Sequence, residues 1–390
     1  MMIKKLRVQN FRKHTDFAID FQPGTTIITG ANGSGKTSLL EAIYIALQGK
    51  SWRSNFAEIL RDDGGAIADW WRVDVEFEGG ERRVVKFQNC HPGLSPRHSE
   101  LAEESSVCHP GESLALDSFQ ESSLPKENTI NSRVKHENDK KVFEINTQTF
   151  TRLPAKSKKP TILFEPGDLQ LLYGSPTRRR DFFDRFISQI EPAHATNLRE
   201  FERILRQRNN LLKRSTSSDE LFVWDLQFAD LAEKIIATRG HWIKEINHDL
   251  TEEYQKIASS GDQITIKYLA PQKSRQQILD QLKVDFADHQ QYTKIGPQTH
   301  DIKFKINHHD AKLTASRGEN RTIIFAALAA MTKILNHCSG ERVYLLFDDI
   351  DSELDSNRRG ELYKSNIFTD NYLFATTIKT SHKITNQVDL

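Results

Sequence analysis

The chain has 390 residues, with 54 Lys and Arg against 53 Asp and Glu, and three cysteines. The net charge of +1 excludes attraction of nucleic acid through overall charge, so any basic surface must be local. Three cysteines do not form a disulfide framework, and the chain opens on a strand-like segment rather than a signal peptide. No apolar run approaches the ~18 residues of a membrane span, so we expect a soluble, cytoplasmic protein of two or three structural units.

Alternating apolar residues predict an antiparallel β-layer in the first part of the chain. Residues 3–20 alternate in the manner of a strand, and so do residues 70–77. A turn at Gly79 and Gly80 joins the second run to residues 83–87, which predicts a β-hairpin.

A glycine-rich loop at residues 30–37 is the most informative motif. It fits G-x-x-x-x-G-K-[ST], follows a β-branched strand at 24–29 and precedes an apolar helix. Glycines let backbone N–H groups converge on phosphate oxygens, Lys36 neutralises the β- and γ-phosphates, and the Thr37 hydroxyl is a ligand for Mg²⁺. The sequence therefore predicts a nucleoside triphosphate site. The expected nucleotide-binding residues are Gly30, Ala31, Asn32, Gly33, Ser34, Gly35, Lys36, Thr37 and Ser38.

Residues 88–140 have the composition of a disordered insert. They hold nine serines, four prolines and nine acids against five bases, without sustained periodicity. The sequence Cys-His-Pro-Gly occurs at Cys90 and again at Cys108, but adjacent Cys-His pairs do not readily face one tetrahedral ion, which disfavours zinc. Residues 95–105 resemble translated mobile-repeat DNA. The strand pattern resumes at 142–146, which indicates an interrupted sheet.

Residues 175–291 read as long, highly charged helices. Between Ser175 and Ser215 there are ten Arg or Lys and five Asp or Glu. A basic helical face neutralises DNA phosphates, whereas a solvated helix with i,i+4 pairs such as Glu202 and Arg206 explains the same charges. On charge alone the two readings are equal, and no base-reading motif is present.

Two carboxylates follow a buried strand near the C-terminus. The strand-like run 342–347, which is apolar after Arg342, ends in Asp348 and Asp349, the Walker B arrangement. Asp348 is expected to act on Mg²⁺ through its water shell, and Asp349 to polarise the attacking water as the catalytic base.

A second γ-phosphate contact is expected from Ser316. It precedes Arg317 and Gly318 and a long apolar helix, so a hydroxyl and a helix N-terminus lie together. A simple helix N-cap is the alternative reading. An acidic D-loop follows at residues 352–355. Phosphate loop, signature helix, Walker B and D-loop in this order describe an ABC-type ATPase, in which two subunits close on one ATP.

Several segments together resemble the RecF family, which is related to the SMC and Rad50 ATPases. They are residues 6–12, 32–43, 174–184, 207–213, 296–301 and 347–355. The resemblance implies an α/β fold, with an ABC-type P-loop ATPase lobe of mixed sheets and helices at 1–174 and 292–390. It implies a helical DNA-clamp lobe at 175–291.

The resemblance also implies a function in DNA replication, repair and recombination. The family is an ATP- and Mg²⁺-dependent, weak DNA-stimulated ATPase whose homodimer forms on ATP and binds single-stranded and gapped duplex DNA. It acts with RecO and RecR to help RecA load at single-strand gaps, so RecR is the expected direct partner.

The family's functional residues map onto this chain with some departures. Lys36 and Thr37 match the loop Lys and Thr, Asp348 the Mg²⁺-linked acid and Ser316 the signature serine. Arg12 and His14 stand where related ATPases approach the nucleotide. Glu319 replaces a usual glutamine and adds negative charge near the γ-phosphate, Asp349 replaces the Glu of transporters, and no switch histidine follows residues 374–377, since His382 lies further on.

Two other functions compete with this reading. A structural, DNA-tethering ATPase of the SMC or Rad50 kind needs long antiparallel coiled-coil arms, which about 115 residues do not supply. A transporter nucleotide-binding subunit would lack residues 174–184 and the basic segment, and would bind a membrane partner.

Overall fold

The computed structural model describes residues 1–62, 64, 67–89, 139–214, 217–271, 274–288, 290–349, 370–377 and 386–390. Its first layer is an antiparallel sheet in the order β2-β1-β4-β5-β6-β7. The strands are β1 Ile3–Phe11, β2 His14–Asp20, β4 Trp70–Phe77, β5 Arg82–Gln88, β6 Lys140–Ile145 and β7 Gln148–Phe150. The predicted hairpin of β4 and β5 is confirmed. Residues 3–20 form two strands instead of one, because the chain reverses at Arg12, where φ is +55°.

The second layer is a parallel sheet in the order β14-β3-β13-β12-β8. Its strands are β3 Thr26–Thr29, β8 Thr161–Phe164, β12 Tyr344–Phe347, β13 Tyr372–Thr377 and β14 Asn386–Asp389. Successive side chains alternate between the two faces of the sheet. Ile28 packs with helix α1 (Lys36–Gln48) and the antiparallel sheet, whereas Ile27 packs in the core on the other face.

Helix α7 (Arg317–Ser339) covers that second face. By length and composition alone, this helix could cross a membrane, although the sequence analysis expected no membrane-spanning segment. Its residues Ile323, Phe325 and Leu328 are buried against the parallel sheet and neighbouring helices, which accounts for the composition of a core helix.

The helices of the middle of the chain are α2 Pro176–Ile190, α3 Pro192–Leu212, α4 Ser218–Ala258 and α5 Arg275–Ala287. The first half of α4 packs in a separate apolar cluster with α3 and α5, around Phe228 and Ile235. Its second half, around Ile246 and Tyr254, joins the core beneath α7. One long helix therefore spans both clusters, and the expected lobe boundaries at 174/175 and 291/292 remain a prediction.

A strand also occurs inside the segment expected to be helical. β9 (Ile264–Leu269) pairs antiparallel with β10 (Asp301–Ile306), which pairs with the short β11 (His309–Asp310). Ile264 and Ile266 are buried and alternate with exposed residues, the period of a half-buried strand. A four-residue helix, α6 (Ala311–Thr314), leads to α7.

Several arginines of the expected basic face serve the interior. Arg179 pairs with Asp301 at 2.7 Å, and buried Arg180 donates to the His300 carbonyl. Arg208 is 1% exposed and pairs with Asp225 at 2.6 Å. These guanidinium groups hold helices against neighbouring segments. Fewer basic side chains of residues 175–215 therefore lie at the surface than the sequence count suggests.

The insert joins two strands that lie side by side. Gln88 at the end of β5 is directly opposite Lys140 at the start of β6, and the pairing continues to Arg83 and Ile145. Residues 90–138, including the Cys-His repeats, lie outside the described residues. In the described part of the chain, no cluster of three His, Cys, Asp or Glu side chains has the arrangement of a metal site.

Replacing residues 90–138 by a short Gly/Ser turn should leave the fold intact. Because the strands already pair at Gln88 and Lys140, a shorter loop lowers the closure entropy, and stability should rise by up to about 2 kcal/mol. Urea unfolding measures the change. Phe143→Ala, which empties a buried position of β6, is the positive control and should cost about 3–5 kcal/mol. A turn variant as unstable as this control would show that the insert contributes to the fold.

Candidate nucleotide site

The site lies where three neighbouring parallel strands end. β3 ends at Thr29 and enters the glycine loop, β12 ends at Phe347 and is followed by Asp348, and β13 runs between them. In this register Thr377 lies opposite Thr29 and Ala375 opposite Phe347. The carboxyl ends of parallel strands form a ligand-binding edge, so the loop and the acid pair meet there.

The glycine loop is held in the form of a phosphate cradle. Lys36 Nζ donates to the carbonyls of Gly30 at 2.6 Å and Ala31 at 2.9 Å, which curls the loop around the ammonium. Gly35 has φ +107°, and a Cβ at this position would meet His14 Nε2 at 2.5 Å. His14 therefore supports the loop from below, and burial lowers its pKa. Only glycine fits between this ring and the start of α1.

Thr37 and Asp348 form an oxygen-only pair suited to Mg²⁺. Thr37 Oγ1 lies 2.9 and 3.0 Å from the two carboxylate oxygens of Asp348. Thr376 Oγ1, at the end of β13, donates to the same carboxylate at 2.7 Å. Burial raises the pKa of Asp348, and the hydroxyls of Thr376 and Thr37 partly offset this. One hydroxyl and one carboxylate match the preference of Mg²⁺ for few protein oxygens and several waters.

A cavity of about 520 Å³ opens above these groups. Of the predicted residues, those that line it are Arg12, Asn32, Gly33, Gly35, Lys36, Thr37, Ser38, Asp348 and Asp349. The loop residues Gly30, Ala31 and Ser34 do not line the cavity. The carbonyls of Gly30 and Ala31 instead accept hydrogen bonds from Lys36. Asp349 has φ +53°, and its backbone N–H donates to Thr376 Oγ1 at 2.8 Å.

Arg12 reaches the cavity but is bound to Glu41. Its Nε and Nη2 donate to the two oxygens of Glu41 at 2.9 and 2.8 Å, and its other contacts are Ser54 Oγ and the Glu58 carbonyl. Glu41 lies one turn beyond Thr37 on α1, is fully buried, and also accepts from Ser51 at 2.6 Å. The pair fixes the β1–β2 turn against the helix that follows the phosphate loop.

Three further side chains of the cavity were missed from the sequence. Lys13 Nζ donates to the Gly33 carbonyl at 2.9 Å, Arg53 lies 3.6 Å from Glu41, and Thr376 orients Asp348. The tight turn between β1 and β2 was the available signal for Lys13, since a basic hairpin tip must project from the sheet. Arg53 follows α1 in a loop, where no periodic pattern marks it.

Ser316 does not line this cavity. It is the N-cap of α7: its Oγ accepts from the Glu319 backbone N–H, and Glu319 accepts from the Ser316 backbone N–H at 2.7 Å. Ser316 is thus the N-cap of α7, and the departure at Glu319 completes a capping box, while the expected γ-phosphate contact of Ser316 remains a prediction. Ser316 is exposed, and Asn320 contacts the Tyr173 hydroxyl on the same side of the helix end. The expected D-loop at 352–355 and His382 lie outside the described residues.

Breaking the Arg12–Glu41 pair should destabilise the protein strongly. Glu41→Ala leaves the partly buried guanidinium of Arg12, whose side chain is 21% exposed, without its carboxylate, at a cost of about 1–3 kcal/mol in the free energy of unfolding by urea. Glu58→Ala removes an exposed acid beside the same arginine and should stay within about 0.5 kcal/mol. Equal effects of the two variants would contradict a structural role for the pair.

Comparison with known proteins gives a consistent family. The AAA domain family model matches residues 5–295, well over half of the chain. The chain is 28% identical over 392 residues to the DNA replication and repair protein RecF of Streptococcus uberis, covering 98% of this chain and 94% of that protein. It is 28% identical over 411 residues to RecF of Staphylococcus epidermidis, covering 100% and 97%.

Solved structures agree on the fold. The chain is similar to the recombination mediator protein RecF-ATPrS in the RecFOR pathway, with a TM-score of 0.76, 24% identity and coverage of 100% of this chain and 95% of that one. A second structure, of RecF-ATP, gives a TM-score of 0.73 at 24% identity, with coverage of 98% and 93%. The expected α/β fold of an ABC-type ATPase is confirmed. The chain belongs to the AAA domain family. The resemblance to the RecF family that the sequence predicted is confirmed by relatives that align along nearly the whole chain.

Proposed function

We propose that this protein is an ATP-dependent DNA-binding protein of DNA replication and repair. It binds ATP with Mg²⁺ at the cavity of the glycine loop, hydrolyses it slowly, and dimerises on ATP. The observation that carries the proposal is the pairing of Thr37 with Asp348 beside the Lys36 loop, since this arrangement joins a phosphate cradle to a magnesium-type oxygen pair.

Each part of the cavity has a chemical task in this proposal. Lys36 exchanges its loop carbonyls for phosphate oxygens of the nucleotide, and the loop N–H groups and the N-terminus of α1 add donors. Thr37 and Asp348 would hold Mg²⁺, directly and through water. When bound, this ion neutralises charge on the β- and γ-phosphates. Arg53 and Lys13 add positive charge to the same cavity wall.

Hydrolysis is assigned to Asp349. A water oxygen attacks the γ-phosphorus, the bond to the β–γ bridging oxygen breaks, and Asp349 accepts the proton of the water, leaving ADP and phosphate. Its backbone has a left-handed conformation, and its N–H bonds the same Thr376 hydroxyl that donates to Asp348, so one threonine holds both acids at the cavity. An Asp side chain is shorter than the Glu of transporters, in keeping with slow turnover.

The location of Ser316 supports the proposed dimerisation on ATP. Its hydroxyl and the start of a 23-residue helix face solvent away from the chain's own cavity. In the proposed dimer this end of α7 closes on the γ-phosphate bound by the other protomer, with the hydroxyl and helix N-terminus as donors. The Glu319 carboxylate is turned back to the Ser316 N–H, which keeps its charge engaged within the capping box.

The names of the relatives support the DNA-linked part of the proposal. Proteins that align along nearly the whole chain are DNA replication and repair proteins, and the similar solved structures belong to the RecFOR pathway. We therefore propose DNA-stimulated ATPase activity in the cytoplasm on single-stranded and gapped duplex DNA. RecR is the proposed direct partner, with RecO and RecA in the same pathway.

A tethering ATPase with coiled-coil arms is less well supported. Among the described residues the antiparallel pair of α3 and α4 is limited by α3, whose 21 residues span about 30 Å. Arms that bridge distant DNA segments need far longer helices. A transporter subunit finds no support in the relatives reported above.

Lys36→Ala should weaken ATP binding by about 1.5–3 kcal/mol, or roughly 10- to 150-fold, because it removes a charged hydrogen-bond donor to phosphate. Titration of a fluorescent ATP analogue measures the dissociation constant. Lys4→Ala, an exposed lysine of β1, is the control and should leave it unchanged. Equal affinities for all three proteins would mean that the loop does not bind the nucleotide.

Asp349→Asn and Ser316→Arg should have opposite effects on the dimer. Asp349→Asn keeps the shape of the site but removes the proton acceptor, so ATP stays bound and the dimer lives longer. Ser316→Arg should preserve ATP binding by the monomer and prevent ATP-dependent association. Analytical ultracentrifugation with ATP, together with phosphate release, separates the two outcomes. Identical phenotypes would contradict the division of roles.

A further inference from the structure

A second, basic cavity system lies at the opposite end of α1 from the phosphate loop. Two cavities of about 390 and 530 Å³ share the lining residues Lys50, Arg185, Ser188, Ala195 and Arg199. They therefore form one continuous depression, which we call the basic groove. Lys50 follows the last turn of the 13-residue α1, so the groove lies about 20 Å from the start of that helix.

At the end near α1, the charged side chains that line the basic groove are all positive. Lys50, Lys158, Lys159, Arg185 and Arg199 line the smaller cavity, and no Asp or Glu is among its described lining residues. The larger cavity adds acids at its far side, including Asp184, which is already bound by Arg239 and His194. At the end near α1, Lys159 pairs with Glu341 and Arg185 lies beside Glu165 and Asp168. Lys50, Lys158 and Arg199 leave this wall with a net positive charge.

The two lysines at its centre lack counter-charges. In the described part of the chain, the ammonium groups of Lys50 and Lys158 make no hydrogen bond or ion pair, and Arg199 donates only within its own helix, to Ala195 and Thr196. The pKa of Lys50 is lowered by burial and then by the charges of Lys158 and Arg185. The pKa of Lys158 is lowered by burial and then by Arg199. Folding brings like charges together here at a cost, which an anion would relieve.

The N-terminus of α3 adds the positive end of a helix dipole to the same wall. Pro192, Ala195 and Thr196 of its first turns line the smaller cavity, and the N-cap Glu191 makes no side-chain cap bond. The start of a 21-residue helix carries a partial positive charge. Together with the lysines, this is the chemistry that recognises phosphate oxygens.

We propose that the basic groove binds the phosphate backbone of double-stranded DNA, as on the duplex side of a gap. The inference rests on the proposed function as a DNA-binding protein and assigns it a site. Two joined cavities are too extended for one phosphate ion and suit consecutive phosphates. The aromatic side chains that line the groove, Tyr44 and Phe201, are 5% and 3% exposed, so they offer no platform for the unstacked bases of a single strand.

The test compares two double variants of equal charge. Lys50→Gln with Lys158→Gln removes the central cations of the groove, and Lys244→Gln with Lys283→Gln removes two exposed lysines of α4 and α5. Binding of a fluorescein-labelled duplex is measured by anisotropy with saturating ATP and Mg²⁺ over a range of KCl concentrations. ATP affinity and the thermal midpoint are measured in parallel.

The groove variant should lose about tenfold or more in duplex affinity, and the slope of log K against log salt should shrink by about 2. Its ATP affinity should be unchanged. Its thermal midpoint should equal or exceed that of the wild type, because two mutually repelling charges are gone. The control variant should bind duplex within about twofold of the wild type.

Several results overturn the inference. If the wild type binds duplex and the groove variant binds equally well, or if both variants lose the same affinity, the groove is not the site. A lower thermal midpoint together with weaker ATP binding would make the lysines structural. Unchanged DNA binding with loss of a poly-glutamate probe would assign the groove to an acidic protein segment. Failure of the wild type to bind any DNA would reject the proposed function as well.

Discussion

The contact between the Thr37 hydroxyl and the Asp348 carboxylate organises the ATPase part of the molecule. It joins residues 311 positions apart in the chain, at 2.9 Å. It exists because β3 and β12 flank β13 in the parallel sheet and end at the same edge. Thr376 on the central strand bonds Asp348, and Glu41, one turn further along α1, bonds Arg12. These contacts hold the helix that follows the glycine loop next to Asp348, so that the loop and the acid can act on the same nucleotide.

Helix α1 connects the phosphate loop with the basic groove. Near its end, Gln48 donates to the Lys159 carbonyl at 2.6 Å and to Gln189 of α2 at 3.3 Å. Arg185, in the wall of the groove, lies 3.6 Å from Asp168 and 3.9 Å from Glu165. Pro166, between those two acids, lines the nucleotide cavity. The nucleotide cavity and the proposed DNA groove are thus connected by packed and hydrogen-bonded elements, a contiguous network of the kind that carries coupling between two sites.

Much of the fold and of the nucleotide site could be predicted from the sequence, because the responsible signals are local. Glycine spacing fixes the loop, and continuous apolar runs such as residues 161–164 and 344–347 mark strands buried on both faces. Apart from Thr37 and Asp348, which are each marked by a motif, contacts between residues far apart in the sequence were not predictable. The sequence does not show that Glu41 is buried, because its partner Arg12 lies in a distant hairpin. In the same way, the charges of Arg179, Arg180 and Arg208 are compatible with a basic surface until the structure shows their partners in the interior. The strand β9 was obscured by its position between two long helical stretches.

A double-mutant cycle tests the central claim most directly. Thr37→Ala, Asp348→Asn and the double variant are compared in ATP affinity by calorimetry, once with Mg²⁺ and once with EDTA. The account predicts that each single variant loses about tenfold or more with Mg²⁺, and that the losses are non-additive by at least about 0.5 kcal/mol. In EDTA both the losses and the coupling should largely disappear. Additive losses of the same size with and without Mg²⁺ would contradict the claim that this pair forms the magnesium site.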